Sequence, residues 1–148
     1  MRIGLFGGTF DPPHIGHLIL AEVMADVLGL DRVWFVPAAD PPHKQHRDKT
    51  PVEHRLAMLE LALDGNPAFQ LSRIDIDRDG PHYTVEMVAL ARASCPADDF
   101  WFLMGSDSLH DLPGWHQPER LLNLCQIGVL PRPGFPIDLV ELADQLPG

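Results

Sequence analysis

Residues Gly7 to His17 read GGTFDPPHIGH, directly after the apolar run Ile3, Leu5, Phe6. Two glycines allow a backbone to come close to a phosphate, and two prolines hold a loop open. The His-x-x-His pair opens a predicted helix, whose first N–H groups favour anions. Spaced three apart, His14 and His17 share one helix face and can address the same phosphate group. As neutral donors or as imidazolium they can stabilise charge that develops on phosphorus. Metal ligation is the rival chemistry, since His-x-x-His recurs at His43 and His46 and Asp11 is close in sequence. No third ligand stands at a fixed helical spacing, so the expectation is no protein-held metal. A phosphate ligand would itself carry Mg²⁺, which prefers phosphate oxygens and water.

No nucleophile stands beside a base anywhere in the chain. Serines are few, neither Cys95 nor Cys125 has a histidine nearby, and there is no Gly-x-Ser-x-Gly elbow. The phosphate loops of P-loop enzymes and of dehydrogenases are also missing. What remains is direct in-line attack of one substrate on another, a chemistry carried by positioning and charge neutralisation. A second cluster, FLMGSDSLHDLPGWHQP from Phe102 to Pro118, offers Asp107 near a helix start as an acceptor for ribose hydroxyls. It also offers Trp115 in a Pro-Gly-Trp turn, where an indole can stack on a flat ring or fold back on the core.

These residues need a scaffold that brings them together. Strand-like runs at Ile3 to Phe6, Val33 to Val36, Phe69 to Ile74, Phe100 to Met104 and Ile127 to Leu130 alternate with helical patterns. That alternation predicts parallel βαβ units, an α/β, Rossmann-like doubly wound sheet of about five strands. Helices are expected over Ile15 to Leu28, with apolar positions Leu18, Ala21, Val23, Ala25 and Leu28, over Thr84 to Ala93, over Pro118 to Leu124, and in the tail from Leu139 to Leu146. Another is marked by Thr50 as cap, Pro51 at its first position and Glu53 completing a capping box, ahead of the face Leu56, Leu59, Leu63. In strand order 3-2-1-4-5, the loops after strands one, two and four all project from the carboxyl edge, where such sheets bind ligands.

The 148 residues, 45% hydrophobic, suit one domain with a sizeable core. A net charge of −10 argues against sequence-independent nucleic-acid binding. Both lysines, Lys44 and Lys49, sit with Arg47 in PPHKQHRDKT, an arrangement suited to a small polyanion. No apolar run reaches bilayer length and no signal peptide opens the chain, so a soluble cytoplasmic protein without a membrane partner is expected. Cys95 and Cys125 are read as small, partly buried residues in a reducing compartment. Trp34 and Trp101 are read as core.

In order, GGTFDPPHIGH, PPHK, YTVE, FLMGSDSLHDLPGWHQP and RPG resemble the bacterial nicotinate mononucleotide adenylyltransferases of the nucleotidylyltransferase superfamily, from Met1 to about Phe135. The His-x-Gly-His element alone marks only the superfamily; GSDSLHDLPGWH narrows it. The resemblance implies ATP and nicotinate mononucleotide as substrates, Mg²⁺ bound mainly through ATP phosphates, and nicotinate adenine dinucleotide and pyrophosphate as products, in NAD synthesis. It implies that Gly7, Gly8, Thr9 and Phe10 line the nucleotide loop and that His14 and His17 hold the ATP phosphates. Lys44 with His43 would approach those phosphates from the second loop. Trp115 would stack on the pyridine ring, with backbone N–H groups near Thr84 and His116 receiving its carboxylate. Gly105 and Asp107 would hold sugar or base edges, and Arg132 would reach a phosphate.

The family continues through another strand to a Ser/Thr-rich phosphate-binding turn, whereas here no serine or threonine follows Ser108. The expectation is therefore a single domain over residues 1–148 that lacks this element. Two alternatives stay open: a weakly active nucleotide-binding fragment of the same fold, or a related nucleotidylyltransferase with another acceptor.

Overall fold

A computed structural model describes residues 1–39 and 50–146. Five parallel strands form one sheet: β1 (Arg2–Gly8), β2 (Arg32–Pro37), β3 (Phe69–Leu71), β4 (Asp99–Gly105) and β5 (Gln126–Leu130). Their order is β3-β2-β1-β4-β5, the order supposed above. The first strand in sequence is central, hydrogen-bonded to β2 on one side and β4 on the other. Consequently the ends of β1, β2, β4 and β5 rise side by side at one edge.

Helices α1 (Ile15–Leu28), α2 (Val52–Leu63), α3 (Thr84–Ser94), α4 (Ser106–Asp111), α5 (Pro118–Leu124) and α6 (Leu139–Gln145) complete the chain, with a 3₁₀ turn at Leu112–Gly114. Two apolar clusters flank the sheet. Leu20, Ala21 and Met24 of α1 pack with Leu59 and Leu63 of α2 against Val33 and Phe35. Val85, Val88 and Ala91 of α3 pack with Leu121 of α5 against Ile3, Leu5 and Phe102. On α1 the buried face is centred one step from the expected one, and Val23 is exposed. The expected face of α2 holds, with Leu56, Leu59 and Leu63 all buried. Gly128 lets α1 approach β5 closely: a Cβ there would lie 2.8 Å from the side chains of both Met24 and Leu28.

Three local expectations are corrected. β3 ends at Leu71 instead of Ile74, because the Ser72 Oγ accepts the Ile74 N–H and the chain turns through 74–77. Thr50 does not cap α2. Its N–H donates to Asp11 Oδ2 (2.8 Å) and its carbonyl accepts from Arg55 Nε (3.0 Å), so Pro51 becomes the N-cap with no side-chain bond. After β4 there is no free turn, since Gly105 passes directly into α4.

Trp34 and Trp101 are only partly buried; Trp34 meets Phe100 edge-on, and the Arg2 guanidinium lies 5.1 Å over the Trp101 ring. Both cysteines are free, Cys95 partly and Cys125 fully buried, and burial pushes the Cys125 thiol up to about 11.

Candidate active site

Helix α1 starts through a reciprocal cap made by its two histidines. His14 is the N-cap, and its Nδ1 accepts from the Gly16 N–H (3.1 Å), while the His17 Nδ1 accepts from the His14 N–H (3.0 Å). A ring nitrogen that accepts has no proton, so each neutral ring carries its proton on Nε2. The two rings stack, 3.7 Å apart at 21°. Gly16 is required by this packing, because a Cβ on it would come within 2.9 Å of the His14 ring. The backbone thus fixes the tautomer of both residues and leaves two parallel N–H donors at the sheet's carboxyl edge.

Phe10 anchors the loop before the helix. Its backbone sits in the left-handed region at φ 50°, costly for a bulky residue, yet its side chain is buried. The ring meets Phe6, Phe35 and His17 at 5.0–5.7 Å. Among the described residues, no atom lies closer than 3.4 Å to the position of a Cβ on Gly7 or Gly8. The fold would admit side chains there, so what the two glycines keep clear is the cleft they line.

Partial burial, then the nearby His14 and the Arg132 guanidinium, hold His17 below the ordinary histidine value of 6.5. The unfolded chain therefore takes up this proton at higher pH than the folded one. The contribution of His17 to stability is complete above about 6.5 and is lost as pH falls through the interval below it. Titration followed by nuclear magnetic resonance should give His17 a midpoint below 6.5; a midpoint above that value would contradict the donor state assigned here.

A cleft of about 380 Å³ opens at this edge, lined by Gly7, Gly8, Phe10, His17, Thr84, Gly105, Asp107, Trp115 and Arg132 among the residues singled out from sequence. A side pocket of about 230 Å³ shares His82, Thr84 and Trp115 with it and adds Tyr83 and His116, whose rings stack at 4.0 Å. His14 is exposed, stacked on His17 at the mouth of the cleft, and is not among the residues that line it. Thr9 turns its carbonyl to Arg55 instead. His43 and Lys44 lie outside the described residues. A larger, open groove of about 750 Å³ lies at the opposite edge, around Arg2, Asp99 and Gln126, and holds none of these residues.

Trp115 follows the 3₁₀ turn, where its N–H bonds the Leu112 carbonyl, and its ring meets Phe102 edge-on at 6.0 Å. The indole is therefore packed against the core and still lines both cavities. Across the cleft, Ser106 Oγ accepts the Arg132 N–H (2.7 Å). The Arg132 Nε lies 3.5 Å from Asp107 Oδ1, an ion pair too long for a hydrogen bond. That oxygen is buried without a hydrogen-bond partner among the described residues, which leaves an acceptor for a ligand hydroxyl or amine.

Three charged residues that bear on the site escape a reading of sequence alone. Arg55 is fully buried on α2 and donates to the carbonyls of Thr9 (2.8 Å) and Thr50 (3.0 Å), tying the loop after β1 to the segment entering α2. Asp75 and Arg78 form a pair with side chains about 12% and 11% exposed. The one available signal was the position of Arg55, four residues before Leu59 on a buried face.

The family model described as cytidylyltransferase-like matches residues 5–146. A probable nicotinate-nucleotide adenylyltransferase of Thermomicrobium roseum is 53% identical over 146 residues, 99% of this chain and 68% of that protein. The nicotinate-nucleotide adenylyltransferase of Bacillus subtilis is 45% identical over 93% of this chain and 72% of its own length. Among solved structures, Plasmodium falciparum nicotinic acid mononucleotide adenylyltransferase complexed with NaAD superposes with a TM-score of 0.81 at 20% identity, covering 99% of this chain and 71% of that one. With its five-stranded order and a His-x-Gly-His cap at the start of α1, the chain belongs to the cytidylyltransferase-like family and, within it, to the nicotinate-nucleotide adenylyltransferases.

Proposed function

We propose that the chain transfers the adenylyl group of ATP to nicotinate mononucleotide, forming nicotinate adenine dinucleotide and pyrophosphate in NAD synthesis. The observation that carries this reading is a single cleft lined both by His17 and Gly8, suited to a triphosphate, and by Thr84 and Trp115, suited to an aromatic acid. A phosphate oxygen of the mononucleotide attacks the α-phosphorus of ATP; the bond from that phosphorus to the bridging oxygen breaks, and pyrophosphate leaves with the electron pair. The Nε2–H groups of His14 and His17 donate to the phosphate oxygens, and Arg132 adds positive charge on the far side. Asp107 Oδ1 accepts from a nucleotide hydroxyl or amine. Trp115 stacks on the pyridine ring, and N–H groups near Thr84 and His116 receive its carboxylate. His43 and Lys44 are assigned to the phosphates from the second loop, and Gly7, Thr9, Phe10 and Gly105 to the nucleotide walls.

Among the described residues no three His, Cys, Asp or Glu side chains converge. Mg²⁺, when bound, would be held mainly through ATP phosphate oxygens and water and would neutralise charge between the phosphates.

The test is pyrophosphate release from ATP with a panel of acceptor nucleotides. Nicotinate mononucleotide should be the preferred acceptor over its amide analogue, and absence of turnover with both would refute the reading. Trp115→Ala should raise the KM for the mononucleotide by about tenfold or more, the size of a lost aromatic stack, with the KM for ATP nearly unchanged. An unaltered dependence on the mononucleotide would remove stacking as the role of Trp115.

A further inference from the structure

The loop from Ser72 to Tyr83 is folded around an ion pair between the buried Asp75 and the partly buried Arg78. Arg78 donates to Asp75 Oδ1 through Nε (3.1 Å) and Nη2 (2.8 Å). The same guanidinium donates to the Pro81 carbonyl (2.9 Å) and the Tyr83 carbonyl (3.0 Å). Tyr83 is the N-cap of α3, and no side chain caps that helix. The position of the helix start, with the Thr84 N–H, is thus set by Arg78 from behind.

Asp75 has a second task. It lines the cleft, and its Oδ2 accepts the Ala39 N–H (3.0 Å) just past β2. His82 Nδ1 stands 3.6 Å from Asp75 Oδ1. The other charged group at the start of α3, Glu86, is engaged outward with Arg120 at 2.7 Å. Arg78 therefore both aims a donor edge at the cleft and balances the carboxylate that an anionic acceptor would otherwise meet there.

We propose that the Asp75–Arg78 pair is a positioning unit that selects an acid acceptor over its amide. The inference rests on the acceptor assigned above. Loss of Arg78 takes the guanidinium from the Tyr83 carbonyl, which then keeps only the Glu86 and Met87 N–H groups, and leaves Asp75 facing the cleft without its cation; both effects weaken a bound carboxylate more than a carboxamide. Asp75→Asn keeps an acceptor for the Ala39 N–H and removes the negative charge, so it should spare or sharpen the preference. A pair with only a structural task would make both substitutions degrade every substrate alike.

The experiment compares nicotinate and nicotinamide mononucleotide by calorimetry and by turnover with ATP, in the unsubstituted chain, Arg78→Met, Arg78→Lys and Asp75→Asn. Arg78→Met should lower the acid-to-amide ratio of kcat/KM about tenfold or more, mainly through the KM for the acid, with the KM for ATP within about twofold. If Arg78→Met does not fold, Arg78→Lys carries the test: one ammonium cannot hold Asp75 and both carbonyls, so a drop of about threefold or more is expected. A ratio held constant in the folded arginine variants overturns the pair's role while the acceptor assignment stands. Failure of the unsubstituted chain to bind or use either acceptor overturns both.

Discussion

His17→Ala is expected to lower kcat by about a hundredfold to a thousandfold, while ATP affinity changes by less than about tenfold. The asymmetry follows from where the ring's proton sits. Its Nδ1 is spent on the His14 N–H, so what the ring offers a ligand is a single Nε2–H donor already fixed in orientation. A donor that needs no reorganisation gives most when charge builds on phosphoryl oxygens at the transition state. The alanine variant also breaks the reciprocal cap, which should cost roughly 1 kcal/mol of stability. Thermal melting beside steady-state kinetics separates these effects. Equal losses in ATP binding and kcat would show that His17 contributes uniform binding instead.

Arg55→Met should destabilise the fold by about 3 kcal/mol or more, among the largest effects of a single substitution outside the apolar core. Methionine fills much of the volume and cannot donate, so the Thr9 and Thr50 carbonyls lose their guanidinium partner. Each buried acceptor left unmatched costs about 1 to 3 kcal/mol. Urea titration should register the loss as a lower midpoint. Turnover measured well below that midpoint should also fall, because the Thr9 carbonyl belongs to the loop that carries Gly8 and Phe10. A midpoint unchanged from that of the unsubstituted chain would mean that other groups satisfy both carbonyls.

Sequence order and local pattern were enough for the architecture because its signals are local. Strand period, helix period and the lengths between them lead to a parallel sheet, and the glycine-rich turn and His-x-Gly-His place the cleft at its carboxyl edge. The reading fails where a residue's partner is distant in the chain. Thr50 looks like a cap until Asp11, 39 residues away, takes its N–H. The strand that begins at Phe69 stops early because the chain turns at Ser72, and the loop beyond carries Asp75 to Ala39. Arg55 and Arg78 receive no role from sequence, since nothing local shows that backbone carbonyls surround them. From sequence Trp115 reads equally as core or as a ligand-facing ring; its ring meets Phe102 edge-on and also lines the cleft.

Phe10 gives the loop after β1 an unusual mechanical status. A left-handed φ at a large aromatic residue does not persist on local preference, so the loop's shape is stored in the contacts of the Phe10 ring with Phe6, Phe35 and His17. Those partners belong to β1, β2 and α1, in the centre of the sheet and the helix laid over it. Opening the loop would mean withdrawing an aromatic ring from the core. The first wall of the cleft is thus one cooperative unit with the most protected part of the fold, and its amide protons should exchange with solvent only as slowly as that core itself unfolds.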